Sequence, residues 1–121
     1  MKSENNDEDM LKLLEALENI DNDTLKLFEA LGSKWNLMII WCLHDETLRF
    51  TELQRRMGNI NSKTLTDHLR YLEKINIIDR VVYPEVPPRV EYSLTEHGNA
   101  FLPLFKAIKK WILSLPPPKK G

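Results

Sequence analysis

SKTLTDHLRYLEK, Ser62 to Lys74, is the stretch on which the reading of this chain turns. Leu65, Leu69 and Leu72 recur at i, i+4 and i+7, the spacing of one helical face. Lys63, Asp67, Arg70 and Lys74 fall opposite them, with Thr66 and Tyr71 alongside and His68 at the edge of the leucine stripe. Asn61 or Ser62 suits the N-cap, because either side chain can accept from the open N–H groups of the first turn. The spacing predicts a helix from Lys63 to about Ile75 with one apolar side and one basic, hydrogen-bonding side. Such a face fits the major groove of DNA, where side chains distinguish all four base pairs. A solvated amphipathic helix with no ligand has the same pattern.

Immediately upstream, Arg49-Phe50 reads as a bridge or very short strand. Thr51 and Gln54 have the spacing of a capping box, opening a helix from Glu52 to Met57. Gly58-Asn59 then turns the chain. Two helices joined this way form a helix-turn-helix, in which the first crosses the DNA backbone and the second enters the groove. The N-terminus of the second helix enters first, so Ser62, Lys63, Thr66 and Asp67 are the candidates for base edges. Arg70 suits a guanine or a phosphate, and Asp67 can accept from a cytosine amine or orient Arg70. Thr51, Gln54 and Arg55 suit phosphates, which fix register without reading sequence. Thr64 and Lys74 complete this candidate set.

Downstream, Ile77–Tyr83 and Arg89–Leu94 read as two strands. Val90, Tyr92 and Leu94 alternate with Arg89, Glu91 and Ser93, which predicts one buried face. The tip between them, PEVPP, is stiffened by prolines that fix φ and lack an N–H. Arg89 follows it and is the candidate for the minor groove; the competing reading pairs Arg89 with Glu85 or Glu91.

Towards the N-terminus, residues 1–9 are polar and acidic and are expected to be loose, with a short helix from Met10 to Leu17. A helix capped near Asp23 carries Leu27, Phe28 and Leu31 and stops at Gly32. Ser33 caps a third helix, Lys34 to about His44, apolar nearly all round and so expected to be central. The last helix spans about Glu96 to Leu115, with Thr95 as its cap. Its Phe101, Leu104, Ile108, Trp111 and Leu115 are spaced 3, 4, 3, 4, and Phe105 and Ile112 widen the stripe. That seam is broad enough to meet both its own core and a second subunit. Leu13, Leu14 and Leu17 are expected to help close the same homodimer. A monomer that buries the stripe internally is the other reading.

The fold expected is mainly α with a small antiparallel β-hairpin, a winged helix-turn-helix. Residues 1–22 form the acidic arm and short helix, 23–95 the winged helix-turn-helix, 96–115 the dimerisation helix and 116–121 a flexible tail. With 121 residues, 42% of them hydrophobic, the chain suits one domain. The net charge of -1 conceals an asymmetry: residues 1–29 hold three lysines against nine acids, and residues 30–121 hold fourteen Lys and Arg against nine. A basic body of this kind is compatible with a nucleic-acid partner. No catalytic constellation stands out. His44, His68 and His97 have no zinc spacing, one cysteine supplies no thiolate cluster, and no glycine loop cradles phosphate. No enzyme activity, metal or cofactor is expected. No apolar run approaches the roughly 20 residues of a membrane span, no signal peptide is read, and a cytoplasmic location is expected.

The strings GSKW, RFTEL, SKTLTDHLRYLE and YPEVPPRVEYSLTEHG, in this order and spacing, resemble the HxlR-type winged helix-turn-helix regulators, related in fold to the MarR type. The resemblance covers about Leu25 to Trp111. It implies a homodimeric prokaryotic transcription factor on double-stranded, palindromic DNA, with Lys63–Lys74 as recognition helix and Tyr83–Glu91 as wing. It also implies that the N-terminal segment and last helix build the dimer. Many members carry a Cys-Pro pair where Asn22-Asp23 stands here, so their sensing cysteine is absent. Cys42 lies in the third helix, where a thiol is expected to be inert packing. The input left open is an unknown small-molecule effector, or none. The alternative to DNA binding is a winged helix used as a protein-interaction module.

Overall fold

A computed structural model describes residues 2–19 and 21–119, with the side chains of residues 2–6, 17, 23, 24, 26 and 27 excepted. The readings for Leu17, Asp23 and Leu27 therefore lie outside the described residues. The chain divides into two units, Met1–Gly32 and Ser33–Gly121.

The first unit holds α1 (Lys2–Glu18) and α2 (Asn22–Leu31). The helix α1 begins at Lys2 rather than at Met10, which corrects the expectation of a loose start. Its Met10, Leu11, Leu13 and Leu14 are exposed.

The second unit runs α3 (Lys34–Cys42), β1 (Leu48–Arg49), α4 (Phe50–Arg56), α5 (Ser62–Lys74), β2 (Ile78–Tyr83), β3 (Arg89–Leu94) and α6 (Glu96–Ser114). This is a mainly helical winged helix-turn-helix with a small antiparallel sheet. Ser33 caps α3 through its hydroxyl, which accepts from Asn36 N–H. The central helix is buried on one side at Ile39 and Ile40, while Trp35, Leu37, Met38 and Trp41 are half-buried. Ile39, Ile40, Leu53, Leu65, Leu72 and Ile78 form the best-buried core. Fully burying one such side chain contributes about 1.5–3 kcal/mol.

The sheet order is β1-β3-β2. The short strand is Leu48–Arg49 rather than Arg49-Phe50, since Phe50 already opens α4; Leu48 and Arg49 pair with Tyr92 and Glu91, which makes β3 central. That placement changes the burial expected for β3. Only Tyr92 is buried, and Val90 and Leu94 are half-buried like Arg89, Glu91 and Ser93 between them. The capping of α4 also differs from expectation. Thr51 lies inside the helix, and the Glu52 carboxylate accepts from Arg49 N–H at 2.9 Å. Arg49, ending a strand, already has the extended backbone that a cap requires.

Two turns rely on left-handed backbone. Gly58 and Asn59 at φ 70° and 57° separate α4 from α5, and Asn76 at 65° leads into β2. Thr95 caps α6 as expected, accepting from Gly98 N–H at 3.0 Å while its own hydroxyl donates to Asn76 O at 2.7 Å. The inward side of α6 carries Leu102, which is buried, and Phe105, which stacks on Trp41 at 5.2 Å. Phe101 packs edge-on to Phe105. Leu104, Ile108, Trp111, Ile112 and Leu115 stay exposed at 48–63%. The broad stripe thus splits into a packed half and an open half.

Candidate nucleic-acid interface

The helix α5 is fixed at both its start and its back. Asn61 Oδ1 accepts from Lys63 N–H at 2.9 Å and from Thr64 N–H at 3.2 Å. Leu65, Leu69 and Leu72 are at most 2% exposed. His68 Nδ1 lies 2.7 Å from Asn36 Oδ1 of α3, so a polar contact reinforces the leucine stripe. Asn36 is itself only 2% exposed. Sequence periodicity missed this asparagine, because it lies on a helix read as apolar all round.

The opposite face of α5 presents Lys63, Asp67, Arg70 and Lys74, all exposed and on one surface; Ser62 is exposed at the helix start, and Thr64 and Thr66 on the flanks are half-buried. Asp67 lies 3.1 Å from Lys63 Nζ, an i,i+4 pair, so its ion-pair partner is Lys63. Such exposed pairs are weak and open readily to a competing ligand.

In α4, Thr51 and Arg55 are exposed. Gln54 has a different employment from the phosphate contact expected of it. Its Nε2 donates to Ile60 O at 2.9 Å and Ser62 Oγ at 2.8 Å. One amide thus clamps the turn between the two helices and sets the start of α5. Arg56 is bound to Glu46, with a second contact at 3.1 Å. The guanidinium hydrogen bond holds the Glu46 carboxyl below its usual range.

The wing holds Arg89 in a cage. Its guanidinium lies 3.2 Å from Glu85 and 3.9 Å from Glu91. It also sits 4.0 Å from the ring centroid of Tyr83, its register partner on β2. Both acids proposed as competing partners are thus engaged. The tip beyond them, Pro84 to Pro88, is exposed, and Val86 is fully so.

A groove of about 320 Å³ separates α5 from the sheet, lined by Thr66, Leu69, Arg70, Glu73, Arg80 and Tyr92. Arg80 was not singled out in the sequence, where β2 shows no clean alternation. Cys42 is half-buried, and burial pushes its thiol upward against a smaller opposing effect of Arg56. A raised thiol is a poor nucleophile. Among the described residues, no group of three His, Cys, Asp or Glu could hold a metal, and no helix is long and apolar enough to cross a membrane.

Comparison with known proteins places this geometry. Residues 30–119 match the family described as HxlR-like helix-turn-helix. An HTH-type transcriptional regulator of Methanothermobacter thermautotrophicus is 47% identical over 81 residues, covering 67% of this chain and 62% of that relative. The chain thus spans somewhat less than two thirds of that relative's length. One from Halalkalibacterium halodurans is 43% identical over 82 residues, covering 67% of this chain and 73% of the relative. Among solved structures, the reduced form of the transcriptional regulator YodB from B. subtilis superposes with a TM-score of 0.71 at 34% identity. That match covers 84% of this chain and 99% of the other.

Proposed function

Because the chain belongs to the HxlR-like helix-turn-helix family of transcriptional regulators, we propose that it is a homodimer that binds double-stranded DNA in a sequence-specific manner. In this reading α5 lies in the major groove and the wing points towards the minor groove of a palindromic operator. The observation that carries it is the face of α5. Three leucines anchor one side, and the other exposes Lys63, Arg70 and Lys74 with hydroxyls at the N-terminal end. A protein-docking face would be expected to be apolar or acidic, and this one is neither.

The dimer rests on the open half of the α6 stripe. Leu104, Ile108, Trp111 and Ile112 are each at least half exposed, and a contiguous apolar surface of this kind marks an association site. Leu13 and Leu14 of α1 offer further apolar surface of the same type. Two-fold symmetry would then present two copies of α5 to two half-sites.

The test is a titration of binding to random-sequence duplex as salt rises. Affinity is expected to fall steeply and linearly on logarithmic axes, because bound phosphates release counterions. Weak association that does not change with salt would overturn the DNA reading.

A further inference from the structure

We propose that Arg80, on the strand that follows the recognition helix, joins Arg70 in holding one DNA backbone phosphate in the groove between α5 and the sheet. This rests on the DNA-binding reading above and extends it to a residue outside the helix-turn-helix.

The argument begins with which cations are already committed. Arg56 is held by Glu46, Lys63 by Asp67, and Arg89 by Glu85 and Glu91. Among the described residues, Arg70 and Arg80 enter no ion pair, yet they line the same groove from two different elements. Both are exposed. Each guanidinium carries a planar fork of N–H donors that suits the paired oxygens of a phosphate.

The groove has a firm floor. Tyr92 is the register partner of Arg80 and is 8% exposed, and Leu69 is 2% exposed. Thr66 adds a hydroxyl to the lining. Glu73 is the one acid there, so two cations outweigh one anion and the site stays positive. Its carboxylate should oppose a phosphate and weaken the grip. Strand β2 follows directly from α5 through the Asn76 turn, so a DNA backbone flanking the recognition helix would run past Arg80.

The experiment compares wild type with Arg80→Ala, Arg80→Gln, Arg70→Ala and Glu73→Gln. Binding is measured on random duplex and on a duplex selected from a random pool, across a salt series, with thermal melts confirming that each variant folds. Both Arg80 variants are expected to lose affinity several-fold and equally on the two duplexes, with the salt slope shallower by about 0.9. Glu73→Gln should raise affinity. The Arg70→Ala and Arg80→Ala effects should be non-additive, as expected for groups sharing one ligand. If wild type binds with a steep salt slope and the Arg80 variants match it, the proposal is overturned while the DNA reading stands. A loss confined to the selected duplex overturns the phosphate role. A wild type that does not bind random duplex overturns the DNA reading, and this proposal with it.

Discussion

A Cβ added to Gly98 would lie 2.3 Å from the carbonyl oxygen of Ile77. The first turn of α6 thus rests directly on the backbone that enters β2, and Thr95 ties the same two segments by hydrogen bonds. No side chain fits, because the obstacle is main chain and cannot swing away. Gly98→Ala should destabilise the fold by about 1–3 kcal/mol, the usual range for overpacking. Chemical denaturation reads this directly; an unchanged midpoint would show that α6 is free to shift outward.

Gln54 offers a separation of structural from DNA-contact roles. Its amide donates twice within the helix-turn-helix, and each such bond contributes about 0.5–1.5 kcal/mol. Gln54→Ala should therefore lower the melting temperature as well as DNA affinity. A variant that loses affinity at full stability would mean that the amide leaves the turn to reach a phosphate.

Removing the carboxamide of Asn36 leaves His68 without its 2.7 Å contact in a half-buried site. Asn36→Ala should cost about 1–3 kcal/mol through the stranded polar group. Loosening of α5 should accompany it, seen as faster amide exchange across residues 65–72.

Acid titration tests the Glu46–Arg56 pair. Its carboxyl pKa is lowered in the folded state, chiefly by the hydrogen bond from Arg56. The stabilisation is therefore complete above the unfolded carboxyl pKa, about 4.3. It is lost as pH falls through the depressed folded value. Glu46→Gln should flatten that part of the melting-temperature profile and leave the profile above pH 6 parallel to wild type. An identical acid limb in both proteins would show that the pair is merely a surface contact.

Ile108 and Trp111 lie on the open half of α6. Ile108→Glu or Trp111→Glu should convert a dimer to a folded monomer in sedimentation velocity. Because neither side chain is part of the buried core, the melt of the monomer should remain cooperative. Wild type sedimenting as a monomer at micromolar concentration would remove the dimer from the proposed function.

Much of the fold was legible because its signals are local. The period of Leu65, Leu69 and Leu72 is contained within one helix, and the cap at Asn61 lies next to it. The wing strands and Thr95 were readable for the same reason. The start of α1 was not, since a polar acidic run carries no hydrophobic periodicity. Thr51 was misjudged as a cap because the partner that positions Arg49 is β3, some forty residues away in sequence.

Residue order by itself determined the alternation of helices and strands, the two-sided character of α5 and the membership of the family. Those properties depend on spacing and on neighbouring residues, which the chain carries whatever its surroundings. Tertiary structure alone decided that Asn36 meets His68 and that Gln54 meets Ser62. It also decided that Arg70 and Arg80 share a groove and that the stripe on α6 divides in two. Each of these requires two elements to converge in space, and charge pairing or burial follows from that convergence rather than from the type of residue.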